Sequence, residues 1–168
     1  RRAPQHLERL VHRVSAMKVV FAGGGTGGHV YPGVTVARAL VERDPATKVV
    51  FIGTRKGLEA DVVPREGFPL CTIDVAGFRR RLSPDTVLTA LRACKGFVQS
   101  VAILRREKPD VVVGTGGYVS GPVVLAAWVL GIPTVIHEQN AMPGVTTRAL
   151  SRIASATAVT YPESARYL

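Results

Sequence analysis

The feature that most restricts the fold of this chain is a regular alternation of short apolar runs with segments of helical periodicity. Strands are predicted at residues 18–22, 48–52, 70–75, 110–113, 133–136 and 156–159. Helices are predicted between them, at residues 32–43, 58–65, 83–107, 121–130 and 145–153. Parallel strands require a crossover connection, so this alternation predicts an α/β fold, a Rossmann-like parallel sheet with helices on both faces. In such sheets ligands bind beyond the carboxyl ends of the strands.

The 168 residues suffice for one domain, which we predict to span residues 17–168. Residues 1–16 form a basic extension that we expect to be disordered. An alternative for it is a short amphipathic helix on a membrane surface, because Leu7, Leu10, Val11 and Val14 recur at helical spacing. No signal peptide is evident, and Met17 directly precedes the first strand, so we expect the natural start there.

The net charge of +10 predicts polyanionic partners, which include anionic lipids, phosphorylated ligands and nucleic acids. Nucleic acid is disfavoured because the chain has no recognition motif and only 6% aromatic residues.

Residues 111–136 carry no charge, but glycines and prolines divide them, which favours buried strands and a helix over a membrane span. Cys71 and Cys94 match neither a zinc nor a redox spacing and are predicted to be reduced core thiols. Helix 83–107 is predicted to have one apolar face, formed by Val87, Leu91, Cys94, Val98 and Val101.

A glycine-rich loop, residues 23–29, follows the first strand and opens a helix. Glycines allow close approach to a ligand, and a helix start offers free N–H groups, so the loop predicts an anion or sugar-phosphate site. Its spacing also fits the dinucleotide fingerprint. No acid follows at the end of the second strand, which disfavours NAD. Arg55 lies there instead, so an NADP-dependent oxidoreductase stays open as an alternative.

Two further polar segments follow strands: residues 114–122, which are again glycine-rich, and residues 137–140, His-Glu-Gln-Asn. Two glycine loops at strand ends predict two backbone walls around one ligand. No Asp-x-Asp motif occurs, and His29, His137 and Glu138 do not have a metal-ligand spacing, so no metal and no cofactor are predicted. Ser120 lies in no nucleophile elbow.

These segments, taken together in their order, resemble the MurG family of bacterial peptidoglycan glycosyltransferases. The resemblance rests on the loop ending in His29, on residues 31–33 and 116–122, and on residues 137–140, and it extends from about Met17 to Leu168. It implies the N-terminal, acceptor-binding half of a two-domain GT-B fold. The implied reaction is an inverting, metal-independent transfer of N-acetylglucosamine (GlcNAc) from UDP-GlcNAc to the 4-hydroxyl of N-acetylmuramic acid (MurNAc) in lipid I, undecaprenyl-diphospho-MurNAc-pentapeptide.

The resemblance also implies roles for single residues. His29, Tyr118 and Glu138 are the candidate catalytic residues, and the partial positive charge at a helix start favours the neutral imidazole that accepts a proton. The implied donor contacts are Thr26, Gly27, Gly28 and Asn140. The implied contacts to the acceptor diphosphate are Gly24, Gly25, Gly116, Gly117 and Ser120.

A lipid acceptor implies docking on the cytoplasmic face of the bacterial plasma membrane as a peripheral protein. Basic and apolar residues suited to an anionic surface are Phe78, Arg79, Arg80, Arg81, Leu82, Leu88, Arg92 and Lys95. Trp128 fits either that interface or the core.

Family chains are about twice this length, as two domains require. We therefore expect the C-terminal donor domain to be absent and the chain alone to be inactive, as a fragment or as one subunit of a split glycosyltransferase. A non-catalytic, membrane-associated domain that binds polyprenyl diphosphates is the alternative.

Overall fold

The computed structural model shows one sheet of six strands in which every neighbouring pair is parallel. It describes residues 16–75 and 85–168, and for residues 85–92 the backbone alone. The strands are β1 (Lys18–Gly23), β2 (Lys48–Gly53), β3 (Leu70–Thr72), β4 (Val111–Gly116), β5 (Thr134–Glu138) and β6 (Ala156–Val159). The helices are α1 (Gly27–Arg43), α2 (Glu59–Arg65), α3 (Asp85–Glu107), α4 (Gly117–Val129), α5 (Val145–Ser151) and a final 3-10 helix (Pro162–Tyr167).

The strand order is β3-β2-β1-β4-β5-β6, which is the doubly wound order of dinucleotide-binding folds. The predicted Rossmann-like fold class is thus confirmed. The order reverses between β1 and β4, and the two predicted glycine loops follow these two strands. Chain connectivity therefore brings both loops to the switch point, where such sheets leave a crevice.

Two apolar layers hold the helices on opposite faces of the sheet. Alternate residues of β1 supply both layers, because successive side chains of a strand point to opposite faces. Val20 and Ala22 pack in the layer that contains α4 and the end of α3. Val19 and Phe21 pack in the layer that contains α1 and α2. Helices therefore cover both faces, as the alternation predicted.

The two glycine loops are shorter than the sequence predicted, because both following helices begin earlier. Helix α1 begins at Gly27 instead of residue 32, and α4 begins at Gly117 instead of residue 121. The prediction placed Pro32 in the first turn, where proline is favoured. Both Pro32 and Pro122 instead lie inside their helices, and the glycines before them form the first turn. The glycine loops thus put helical N–H groups at the switch point.

The buried face of α3 differs from the prediction. Cys94 is exposed, so its prediction as a core thiol was wrong, and Val98 of the same predicted apolar face is 65% exposed. Leu104 and Ser100 are buried instead, with Phe97 packed beside them. The Ser100 hydroxyl donates to the Gly96 carbonyl oxygen at 2.6 Å, which lets a polar residue occupy the buried face. A purely apolar pattern does not register such a residue.

The uncharged stretch at residues 111–136 forms β4, α4 and the start of β5, as its glycines and prolines indicated. Across residues 16–75 and 85–168, we find no helix with both the length and the apolarity for crossing a bilayer.

Candidate functional site at the switch point

A bulge in β4 shapes the switch point. The pairing register between β1 and β4 shifts after Ala22, so that Gly23 pairs with Gly116 and Thr115 has no partner in β1. The Thr115 side chain is 1% exposed, and its hydroxyl donates to the His29 carbonyl oxygen at 2.7 Å. Bulges commonly re-aim side chains beside functional sites. Here the bulge aims Thr115 of β4 at the His29 carbonyl oxygen of α1 and so ties β4 to α1.

The first loop presents Thr26 and His29 side by side. Thr26 Oγ1 lies 3.0 Å from His29 Nδ1. Because its hydroxyl contacts the imidazole, Thr26 makes no side-chain cap for α1. The N–H groups of Gly27 and Gly28 in the first turn have no intrahelical acceptor, as at any helix start. A half-buried imidazole therefore adjoins two backbone donors, and donors in this position suit an anionic ligand.

The two glycine loops pack directly against each other. A Cβ added at Gly116 would lie 2.5 Å from Cδ2 of His29, and one added at Gly117 would lie 2.3 Å from the Gly24 carbonyl oxygen. Gly116 and Gly117 also have positive φ values of 104° and 77°, which favour glycine. A Cβ added at Gly25 would lie 2.8 Å from the Tyr118 ring. These glycines are thus required by close contact between the loops, which places His29 beside Gly116 and Tyr118 beside Gly25.

Ser120 is fully engaged below the second loop. Its side chain is 1% exposed, and its hydroxyl accepts from the Gly116 N–H at 3.0 Å. The carbonyl oxygens of Ala22 and Gly116 lie 2.7 and 2.8 Å from the same oxygen. The predicted contact of Ser120 with a diphosphate is not the arrangement seen, because burial and these partners leave its hydroxyl no room for a ligand. Its role is to join β1 to the second loop.

The third segment separates into a buried acid and an exposed amide. Glu138 is 2% exposed, and its Oε1 accepts from both the backbone N–H and the side-chain amide of Asn140, each at 2.8 Å. The Ser164 hydroxyl donates to the Asn140 carbonyl oxygen at 2.8 Å. Asn140 is thus held from two sides and exposed to solvent. The geometry gives Glu138 a positioning role and does not favour it as the proton acceptor.

The neighbouring side chains of this segment connect it to the second loop. The Gln139 amide donates to the Thr115 carbonyl oxygen at 3.2 Å. Among the described residues, Nδ1 of His137 and Oε1 of Gln139 are buried without a hydrogen-bond partner. Within the same ranges, no three His, Cys, Asp or Glu side chains come together as a metal site would require.

Sequence reasoning missed Glu59, the first residue of α2. Its side chain is 1% exposed, and its carboxylate lies directly below the first glycine loop. An acid in the first turn of a short helix ordinarily indicates a solvated residue that favours the helix dipole. The available signal was the pair Gly53 and Gly57, both of which contact this side chain and leave room for it.

Comparison with known proteins identifies the family. Residues 19–159 match the N-terminal domain of glycosyltransferase family 28. The chain belongs to glycosyltransferase family 28. A relative from Thermoanaerobacter sp. (strain X514), a UDP-N-acetylglucosamine--N-acetylmuramyl-(pentapeptide) pyrophosphoryl-undecaprenol N-acetylglucosamine transferase, is 52% identical over 151 residues, which are 90% of this chain and 42% of the relative. A relative of the same name from Desulforudis audaxviator is 54% identical over 149 residues, 89% of this chain and 40% of the relative.

The structure of this family 28 domain also resembles a solved one. The crystal structure of Acinetobacter baumannii MurG superposes with a TM-score of 0.78 at 35% identity, over 88% of this chain and 43% of that protein. The resemblance to the MurG family is thereby confirmed, and the chain spans about two fifths of the length of the relatives it matches. Family 28 membership leaves the NADP-dependent oxidoreductase without support.

The predicted membrane residues of this family 28 domain are described only in part. Phe78, Arg79, Arg80, Arg81 and Leu82 lie outside the described residues, and the side chains of Leu88 and Arg92 are not described either. Lys95 forms an ion pair with Asp74, with 2.7 Å between Nζ and Oδ2. The hydrogen bond from Lys95, and a second from Gln99, hold the pKa of the Asp74 carboxyl below its usual range. Lys95 therefore anchors the chain before residue 76 while its side chain stays 62% exposed.

Proposed function

We propose that the chain is the acceptor-side half of an inverting glycosyltransferase that makes lipid II. In the proposed reaction the MurNAc 4-hydroxyl oxygen of lipid I attacks C1 of GlcNAc, the bond from C1 to the UDP oxygen breaks, and the hydroxyl proton passes to a base. The names of the relatives at 52% and 54% identity support this assignment. A donor-binding domain would supply most contacts to UDP-GlcNAc and would lie in the part of the relatives that this chain does not span.

The observation that carries the proposal is the placement of His29. Its half-buried ring lies on the second glycine loop at the switch point, and Nδ1 is held by Thr26 at 3.0 Å. A contact that fixes one ring nitrogen leaves the other to exchange a proton with a substrate. The acceptor hydroxyl would therefore lie at Nε2, and the imidazole would take its proton as the bond to C1 forms.

The exposed groups around His29 suit the two diphosphates of the reaction. We assign the contacts with the sugar donor, UDP-GlcNAc, to Thr26, to the N–H groups of Gly27 and Gly28, and to the Asn140 amide. Gly24, Gly25, Gly116 and Gly117 would shape the acceptor side, mainly by letting the two loops approach each other.

An anionic bilayer is the proposed docking partner, on the cytoplasmic face of the plasma membrane. Leu125, Trp128 and Val129 of α4 are 40%, 52% and 58% exposed, and they share one helix face because they lie three and four residues apart. Val98 is exposed on α3, which packs against α4. With the net charge of +10, an apolar face of this kind favours an anionic lipid surface.

Transfer of labelled GlcNAc from UDP-GlcNAc to a short-chain lipid I analogue tests the proposal. The chain is assayed alone and with a separately expressed C-terminal half of a family 28 relative. Turnover only in the mixture is expected. Turnover by the chain alone would contradict the assignment as an acceptor half. Binding of the lipid analogue without turnover in the mixture, with both halves folded, would favour the non-catalytic diphosphate-binding domain instead.

Two substitutions test the base assignment in the same mixture. His29→Gln should lower kcat by about 100-fold or more, because general bases contribute about 10²–10⁴-fold. Glu138→Gln should lower kcat by less than about tenfold, because an amide oxygen can still accept both Asn140 hydrogen bonds and loses only their charge assistance. The reverse order of the two losses would make Glu138 the base.

A further inference from the structure

Glu59 is a buried acid that the proposed reaction does not use. It lies at the start of α2, beyond the end of β2, and its side chain packs against three glycines: Gly24 of the first loop, Gly53 at the end of β2 and Gly57 just before α2. A Cβ added at Gly24, Gly53 or Gly57 would lie 2.5, 2.4 or 2.3 Å from an atom of the Glu59 side chain. Three positions therefore lack a side chain where Glu59 needs the space: Gly24 and Gly57 beside its carboxylate, and Gly53 beside its Cγ.

Among the described residues, the Glu59 carboxylate accepts three hydrogen bonds, which come from Gly25 and Thr54. Oε2 accepts from the Gly25 N–H at 3.0 Å. Oε1 accepts from the Thr54 N–H at 2.9 Å and from the Thr54 hydroxyl at 2.7 Å. The Thr54 hydroxyl accepts in turn from the Gly57 N–H at 3.1 Å. One carboxylate thus joins the loop after β1 to the loop after β2.

The contact with Gly25 fixes the orientation of a peptide plane. All described peptide bonds are trans, so the Gly25 N–H and the Gly24 carbonyl point in opposite directions. Because the N–H points down to Glu59, the Gly24 carbonyl points to the second loop, against Gly117. A peptide between two glycines has little steric resistance to rotation. Without its acceptor, this peptide would be free to turn, and the contact between the loops would change.

We propose that Glu59 is the positioning residue of the first glycine loop, which sets the Gly24–Gly25 peptide and through it the placement of Thr26 and His29. Gly25 is followed directly by Thr26, whose hydroxyl holds His29 Nδ1. The Gly25 N–H is consumed by Glu59 and does not bind a phosphate. The phosphate-binding donors of this loop are consequently the N–H groups of Gly27 and Gly28.

Glu59→Gln tests this role selectively. A glutamine has one acceptor atom, which satisfies the two Thr54 donors at the Oε1 position, and its NH₂ group then faces the Gly25 N–H, donor against donor. The matched variant is Thr54→Val, which removes the hydroxyl bonds to Glu59 and Gly57 and leaves the Gly25 bond intact. Glu42→Gln, at an exposed acid of α1, controls for the loss of one charge.

The first measurement is nuclear magnetic resonance of the ¹⁵N-labelled chain. In the unsubstituted chain the Gly25 amide proton should exchange slowly although Gly25 is exposed. Glu59→Gln should accelerate that exchange by about tenfold or more, the factor expected for one lost hydrogen bond to a charged group. It should also shift the His29 ring ¹⁵N signals. Thr54→Val should lower the melting temperature and leave the Gly25 and His29 signals in place.

Fast exchange of Gly25 in the unsubstituted chain would overturn the proposal, whether or not Glu59→Gln folds. Equal effects of Thr54→Val and Glu59→Gln on Gly25 and His29 would also overturn it, because they would show a general structural role. This arm does not depend on the proposed function. The kinetic arm does: in the mixture with a donor domain, Glu59→Gln should lower kcat by about 100-fold, as expected for a misplaced reacting group, with less than a threefold change in the KM of UDP-GlcNAc.

Discussion

Ser120→Ala separates a structural role of this hydroxyl from the ligand contact that the sequence suggested. The hydroxyl accepts from the Gly116 N–H and can donate its one proton to the carbonyl oxygen of Ala22 or of Gly116. Alanine would leave the Gly116 N–H and one of these two carbonyl oxygens without this partner. The loss would fall in a buried site, because Ser120 is 1% exposed. A buried group that loses its partner costs about 1–3 kcal/mol, so two groups in the lower half of that range predict a loss of stability of about 2–4 kcal/mol.

Thermal unfolding measures this loss. A chain of this size loses about 2–4 °C in Tm for each kcal/mol, which predicts a fall of about 4–16 °C for Ser120→Ala. Ser100→Ala is the matched control, because Ser100 is equally buried but its hydroxyl makes one bond, to the Gly96 carbonyl. That carbonyl already accepts the helical bond four residues on, so Ser100→Ala should cost less than about 1 kcal/mol.

The binding of a lipid I analogue by Ser120→Ala, measured below the Tm of the variant, decides the other half of the question. Affinity should stay within about threefold of the unsubstituted chain, because the hydroxyl is buried and already bonded to the backbone of β1 and the second loop. A variant that keeps its Tm but loses affinity by tenfold or more would refute the reasoning. It would return Ser120 to the acceptor-diphosphate contacts that the sequence predicted.

The remaining predictions concern three other parts of the molecule. Thr26→Val should lower kcat in the mixture with a donor domain by about tenfold, because one hydrogen bond that orients His29 is lost. Its control, Thr35→Val, loses only a bond to a helix carbonyl and should leave kcat unchanged. Equal losses of kcat in the two variants would contradict this account. Trp128 is the single tryptophan, so anionic vesicles should shift its fluorescence to shorter wavelength and uncharged vesicles should not, and an unchanged spectrum with both would argue against docking through α4. Asp74→Asn should lower Tm at pH 7. The difference in Tm should vanish as the pH falls below about 4, because the contacts that depress the pKa of the Asp74 carboxyl stabilise the folded chain only while Asp74 is ionised. A difference in Tm that persists at low pH would show another cause.

The sheet was predictable because its signal is local and repeated. Each buried strand is a short run of β-branched and aromatic residues between turn residues, as in Lys18–Gly23 and Lys48–Gly53. The doubly wound arrangement follows from the alternation of strands and helices. The helix starts at Gly27 and Gly117 were not predictable in the same way. Glycine disfavours a helix by propensity. At Gly117 the contact with the Gly24 carbonyl oxygen excludes a Cβ, and at Gly27 a Cβ would lie 3.2 Å from the Tyr31 ring of the same helix.

Within the site, the exposed groups were easier to predict than the buried ones. Thr26 and Asn140 are exposed and His29 is half-buried. Their positions after strands predicted the carboxyl edge of the sheet, where the structure places them, whereas their roles came from the family resemblance. Glu59 was missed, and Ser120 was given a contact with ligand that its burial does not allow. The reason is physical: a polar residue in a loop has the same sequence appearance whether it faces a ligand or satisfies the backbone below it.

A buried polar side chain lies below each of the three loops at the carboxyl edge of the sheet. Glu59 accepts from the first loop, Ser120 bridges the second loop to β1, and Glu138 accepts from Asn140 in the third. These anchors are 1%, 1% and 2% exposed, so water does not compete for their hydrogen bonds. Glycine loops are intrinsically mobile, and a transferase must hold reacting groups to within about 0.5 Å. The anchors resolve that conflict: the glycines allow the loops to meet, and buried side chains supply the rigidity that the glycines lack.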